Sequence, residues 1–138
     1  MDLIQIPTPL SLYLHLPWCV SKCPYCDFNS HKAGENAPFD RYVSALKVDI
    51  ENEALRVSER SISSVFIGGG TPSLFTSAQI KSILDQCREH FSIISNCEIT
   101  MEVNPGGQNM AIFQDIWKLA LTDYQLEHKA SIALCCRP

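Results

Sequence analysis

The chain has 138 residues, 46% hydrophobic and 19% charged, with a net charge of −4; this is an ordinary globular composition, long enough for one domain with a real core. The acidic balance leaves no basic surface for nucleic acid, no apolar run is long enough to span a bilayer, and the first residues lack the basic flank and apolar core of a signal peptide. Seven cysteines without a secretion signal read as reduced thiols of a cytoplasmic protein, some of them used as ligands.

Residues 1–10 hold two prolines and read as an irregular lead-in. Residues 11–16 (SLYLHL) then alternate, with Leu12, Leu14 and Leu16 on one face and Tyr13 and His15 on the other, a strand pattern that Pro17 stops. Cys19, Cys23 and Cys26 follow at once, at spacings x3 and x2. Packing needs only an apolar neighbourhood and sets no such rhythm, whereas ligation needs three thiolates to converge from one loop. A structural zinc site is usually completed by a second pair of ligands, and none is present here. Three thiolates suit a [4Fe–4S] cluster with one iron left open. Cys87 and Cys97 read as ordinary buried thiols.

Residues 27–38 read as loop, broken by Gly34 and Pro38. A helix is expected from Phe39 to about Arg60, with Asp40 as N-cap and Tyr42, Val43, Leu46, Ile50 and Leu55 as its apolar stripe. Its acidic residues between Asp49 and Glu59 read as a solvated face. Residues 64–67 form a short apolar strand running straight into Gly68-Gly69-Gly70-Thr71-Pro72. Thr76 or Ser77 caps a second helix over residues 77–91, with Ile80, Ile83, Leu84 and Cys87 inward. Residues 97–103 alternate again as a third strand, ending in the turn signal Asn104-Pro105-Gly106. Strand and helix alternating at these lengths predict parallel βα units, an α/β fold whose chemistry sits at the C-terminal ends of its strands.

The glycine stretch permits positive φ and close approach to a ligand, with N–H groups free for carboxylate or hydroxyl oxygens. It is neither a dinucleotide fingerprint nor a P-loop; the plain alternative is a flexible strand-to-helix turn. Glu102, at the end of the third strand, is placed to accept hydrogen bonds from a ligand's amine or hydroxyls, or else is a solvated edge carboxylate. Tyr13 reads as a ligand contact or an aromatic of the core. His15 reads as structural, and His31, His90 and His128 show no metal-site spacing.

C-x3-C-x2-C after the first strand and GGGTP after the second resemble the radical S-adenosylmethionine (SAM) superfamily. Three longer segments, residues 12–30 (LYLHLPWCVSKCPYCDFNS), 66–74 (FIGGGTPSL) and 98–106 (EITMEVNPG), resemble the oxygen-independent coproporphyrinogen III oxidase family, best its haem-chaperone (HemW) branch. The similarity covers about residues 8–107. It implies the N-terminal part of a radical SAM (β/α) partial barrel, about three βα units. It also implies Cys19, Cys23 and Cys26 as cluster ligands, and Tyr13, Tyr25, Gly69, Gly70, Thr71 and Glu102 as SAM contacts. The true oxidases carry a further cysteine where this chain has Phe28, which favours a haem chaperone over porphyrinogen decarboxylation. The implied cofactors are a [4Fe–4S] cluster and SAM. The implied partners are haem, as cargo, and a haem-acceptor protein.

Beyond Gly106 the resemblance stops, where the family continues with a strand of the type G-I-N-R-L-S-I-G-x-Q-S-F. Permitted codons for residues 117–132, read from the third base, spell E-V-G-I-N-R-L-S-I-G-A-Q-S-F-N, and upstream codons add F-S-R-Y-L. The expectation is therefore a frameshift near residues 106–108, with residues 108–138 an out-of-frame tail and the chain an inactive fragment. The alternative is a genuine divergent tail, with Ile112, Ile116, Leu119 and Leu126 on an amphipathic helix. A fragment of three βα units is expected to expose the edge of its third strand and to be poorly stable.

Overall fold

The computed structural model describes residues 8–57, 60–103, 114, 115 and 118, and the backbone of residues 130–134. The expected turn at 104–106, the helix-like pattern at 112–126 and the Cys135-Cys136 pair lie outside the described residues. The elements in chain order are β1 (Leu10–Leu16), β2 (Trp18–Cys19), β3 (His31–Lys32), α1 (Phe39–Arg56), β4 (Ile62–Gly69), a 3-10 turn (Pro72–Leu74), α2 (Ser77–His90), β5 (Ile93–Val103) and β6 (Ala130–Leu134).

Four strands form one parallel sheet in the order β1-β4-β5-β6. Each successive strand adds on the same side, so α1 and α2 cover one face only, as in a (β/α) barrel whose opposite face lines the lumen. Alternation along the strands divides the side chains accordingly. Leu14, Leu16, Val65, Ile67, Met101 and Val103 point to the helices and are buried in one core with Val43, Ile50, Ile80, Ile83 and Leu84. Tyr13 and Phe66 lie on the other face, 55% and 36% exposed, with their rings stacked 6.0 Å apart.

Several expected details change. The N-cap of α1 is Pro38, with no side-chain cap, and not Asp40. Proline has no N–H to leave orphaned at a helix start. Asp40 sits instead in the first turn, where the helix dipole favours a carboxylate, and accepts a 2.6 Å hydrogen bond from Gln79 Nε2 of α2. The helix ends at Arg56, short of the expected Arg60. Leu55 is 81% exposed: Val43, Ile50 and Ala54 follow one helical face, and Leu55 is turned about 140° from Ile50 at ~100° per residue. β4 and β5 start earlier than expected, at Ile62 and Ile93; in β4 the Ser63 and Ser64 hydroxyls are satisfied on β1, at Leu10 O and Ser11 Oγ. The third strand is not a bare edge: Ile99–Val103 pair with residues 130–134. A parallel edge offers a full row of backbone donors and acceptors, and a short apolar segment from the tail takes it.

Thr76 caps α2 through a complete capping box: its hydroxyl accepts from Gln79 N at 3.2 Å, and Gln79 Oε1 accepts from Thr76 N at 2.9 Å. Thr76→Ala is expected to lower the free energy of unfolding by about 1 kcal/mol, measured by urea titration.

Cys87 and Cys97 are fully buried in the core. Burial pushes the Cys87 thiol up to about 12, and burial, with the Glu98 charge adding, raises that of Cys97. A raised folded-state pKa contributes stability below the unfolded thiol value, lost as pH climbs toward the folded value. Through Cys87, unfolding free energy should therefore fall between about pH 9 and pH 12, by roughly 1.4 kcal/mol per pH unit. A Cys87→Ala chain is expected to show a shallower slope over that range in pH-dependent denaturation.

Candidate cluster and ligand site

The residues singled out in the sequence gather at the C-terminal edge of β1, β4 and β5. Pro17 ends β1, and β2 and β3 then pair in parallel, Trp18 opposite His31 and Cys19 opposite Lys32. Residues 27–38 are thus not all loop, as expected from their breakers. His31 N donates to Pro17 O and Ala33 N to Cys19 O, both at 2.7 Å, closing the neck of a loop that carries all three cysteines. Within it Cys26 N donates to Cys23 O at 3.1 Å, forming a turn. Cys19, Cys23 and Cys26 are free thiols, half-buried. They are strung along the loop: among the described residues no three His, Cys, Asp or Glu side chains converge as a metal-binding group. Ser30 is buried, and its hydroxyl lies 3.8 Å from Cys26 Sγ. Lys22 Nζ donates to Ser30 O at 3.2 Å.

The glycine turn lies directly against the exit of β1. Gly70 N donates to Leu16 O at 2.8 Å and Thr71 N to Trp18 O at 2.7 Å. Gly69, with φ +119°, donates its N–H to Glu102 Oε2 at 3.1 Å. The expectation that these N–H groups stand free for a ligand is overturned: in this conformation all of them are bonded within the chain. Close packing requires glycine at position 70, where the neighbours are backbone, and leaves side-chain neighbours at position 68. A Cβ on Gly70 would stand 2.6 Å from Trp18 O, and one on Gly68 2.9 Å from Glu102 Oε2.

Glu102 is half-buried, with Met101 and Val103 pointing into the core, as the alternation predicted. Its negative charge, together with burial as the larger cause, raises the Tyr13 phenol above its usual value. Tyr13 is not an aromatic of the core: it is more than half exposed, and its hydroxyl meets His15 Nδ1 at 3.0 Å. Tyr25 and Phe28 are exposed on the cysteine loop, at 67% and 57%. Thr71 is buried. Sequence reasoning did not foresee the centrality of His15, whose Nε2 reaches Asn29 O at 2.7 Å. The one available sign was that it shares a strand face with Tyr13.

The donor set suits a soft iron–sulfur group: three thiols on one short loop at a strand end, and no hard oxygen cage. Trp18 Nε1 and Ser73 Oγ are buried and without a hydrogen-bond partner among the described residues. A cleft of about 410 Å³ on the helix side of β5, lined by Cys87, Phe91, Cys97 and Ile99 among others, is remote from these strand ends and holds none of the site residues.

The chain is 47% identical over 104 residues to the heme chaperone HemW of Escherichia coli, an alignment covering 75% of this chain and 27% of that protein. It is 46% identical to the HemW of Haemophilus influenzae, over 71% of this chain and 27% of that one. The oxygen-independent coproporphyrinogen III oxidase of Salmonella typhimurium is 36% identical, over 70% of this chain and 21% of the oxidase. Among solved structures, the radical SAM enzyme coproporphyrinogen III oxidase (HemN) from Escherichia coli superposes with a TM-score of 0.75 at 29% identity, covering 91% of this chain and 28% of the enzyme. The chain thus spans about a quarter of the length of the relatives it matches. Among the described residues no helix is long and apolar enough to cross a membrane. The model of the radical SAM superfamily matches residues 13–126, most of the chain, and the chain belongs to that superfamily.

Proposed function

We propose that the chain is the cofactor-binding part of a haem-chaperone-like radical SAM protein of the cytoplasm. In this reading Cys19, Cys23 and Cys26 hold a [4Fe–4S] cluster, and the protein passes haem to an acceptor protein. The observation that carries it is the shared edge: the cysteine loop, the glycine turn and Glu102 stand together at the ends of three neighbouring strands. The higher identity to HemW proteins than to the oxidase, 47% against 36%, supports the chaperone side. So does Phe28, where the resemblance puts a further cysteine in the true oxidases.

The site residues would act as follows. The three thiolates hold iron and leave one iron open. Tyr13, Tyr25, Gly69, Gly70, Thr71 and Glu102 line the approach for SAM. Glu102 has one carboxylate oxygen tied to Gly69 N, and its remaining lone pairs suit the SAM amine. When bound, the cluster supplies one-electron chemistry to SAM. The backbone N–H groups of the turn already have partners, so recognition by this chain would fall to its side chains.

Anaerobic reconstitution with iron and sulfide tests the reading. A [4Fe–4S] spectrum perturbed by SAM is expected of this chain, and haem retention without porphyrinogen decarboxylation is expected of the protein with its frame restored beyond residue 106. A chain that takes up only zinc sinks it. Decarboxylation would instead favour the oxidase reading.

We also propose that residues 108–138 are read out of frame, supported by the shifted-frame peptide that permitted codons for residues 117–132 can spell. The superfamily match running to residue 126 weighs against a break this early. The coding DNA decides: codons for residues 113–132 that fail to spell the expected peptide in another frame end the idea.

A further inference from the structure

We infer that His15 is a positioning residue that locks the cysteine loop against the glycine turn. Its ring is held from three sides. Nε2 meets Asn29 O at 2.7 Å, and a carbonyl only accepts, so Nε2 carries the proton. In the neutral ring Nδ1 is then the acceptor, and the Tyr13 hydroxyl donates to it at 3.0 Å. The third side is Gly69: a Cβ there would stand 2.7 Å from both Cε1 and Nδ1, so the bare, positive-φ glycine is the seat of the imidazole. The backbone beneath is fixed as well, because Tyr42 of α1 donates its hydroxyl to His15 O at 2.6 Å.

These contacts make one connection from the glycine turn through the imidazole to Asn29, which lies three residues beyond Cys26. The neck of the loop is closed by the backbone bonds at Pro17 and Cys19. Its return arm, residues 27–30, is tied to the sheet by the His15 side chain. His15 therefore sets how far the thiols stand from the turn and from Glu102. It acts through Asn29 and Gly69.

The inference takes from the proposed function only that this loop is the ligand loop. Its test uses the metal-free chain, so a failure to bind iron leaves it measurable. Three variants are compared: His15→Ala, His15→Gln and His15→Asn. The Gln amide nitrogen reaches the level of Nε2 and can donate to Asn29 O; the Asn amide reaches only the level of Nδ1. The readouts are iodoacetamide labelling of Cys23 and Cys26 by mass spectrometry, and tryptic cleavage after Lys22. Loss of one well-made hydrogen bond corresponds to a change of roughly tenfold, so His15→Ala and His15→Asn are expected to speed both by about that factor, with His15→Gln near the parent rate. Buried Cys87 and Cys97 are internal standards, expected to label slowly in every variant. Equal rates in His15→Ala and the parent overturn the inference. So does a His15→Gln chain that behaves like His15→Ala, or an acceleration shared by Cys87 and Cys97, which reports general unfolding.

Discussion

Alanine at Cys19, Cys23 or Cys26 is expected to bring iron and sulfide incorporation on anaerobic reconstitution down to background, while Cys87→Ala and Cys97→Ala leave it unchanged. The difference follows from position. The first three thiols are half-exposed on one loop whose neck is closed by backbone hydrogen bonds. The other two are buried in the core, and burial holds their protons on. Thiolate, not thiol, is the ligand, so a core cysteine with its pKa pushed up to about 12 is a poor donor. Three protein ligands leave no reserve, because losing one leaves two irons without a protein donor. Iron and sulfide analysis with the charge-transfer absorbance measures the outcome. A stable cluster in any one of the three variants would show that the ligand set is wrong. The core variants check that a poor yield reflects lost ligation: Cys87→Ala should cost stability without costing iron.

Much of this was legible in local pattern. Alternation at Leu12, Leu14 and Leu16 gives the first strand and its buried face. The period of Ile80, Ile83, Leu84 and Cys87 gives the second helix, and Thr76 with Gln79 its start. The cysteine rhythm stands out because its spacing has no packing explanation, and the glycine run because it marks a close backbone approach. What local pattern hides is whatever a distant segment decides. The N–H groups of Gly70 and Thr71 look free in sequence and are bonded to Leu16 and Trp18, more than fifty residues earlier. Tyr13 reads equally as a ligand contact or a core aromatic until the sheet is assembled with helices on one face only. His15 looks like a structural residue, and nothing near it in sequence says that its ring rests on Gly69 and ties down Asn29. The strand at residues 130–134 is equally hidden, since five residues with no flanking pattern become a strand only when β5 offers an edge.

Gly70→Ala is expected to be the most damaging added methyl among the described glycines, lowering the free energy of unfolding by roughly 3 kcal/mol, the upper end for overpacking. The added Cβ would stand 2.6 Å from Trp18 O and 2.8 Å from both Pro17 C and Pro17 O. All three atoms are backbone, so no side-chain rotation relieves the contact. The turn must instead move away from the exit of β1. That movement stretches the bonds from Gly70 N to Leu16 O and from Thr71 N to Trp18 O, which join β4 to the segment leading into Cys19. At Gly69 the clash would fall on the His15 ring, which can turn, but φ of +119° adds backbone strain of about 1–3 kcal/mol. Gly34→Ala is the matched control: its Cβ would meet nothing within 4 Å and should change stability little. Urea denaturation of the two variants beside the parent chain reads the difference. Equal midpoints for Gly70→Ala and Gly34→Ala would mean that the glycine turn and the cysteine loop are not in contact in solution. Because the same contact sets the loop against the turn, Gly70→Ala should also speed alkylation of Cys23 and Cys26 below the unfolding transition.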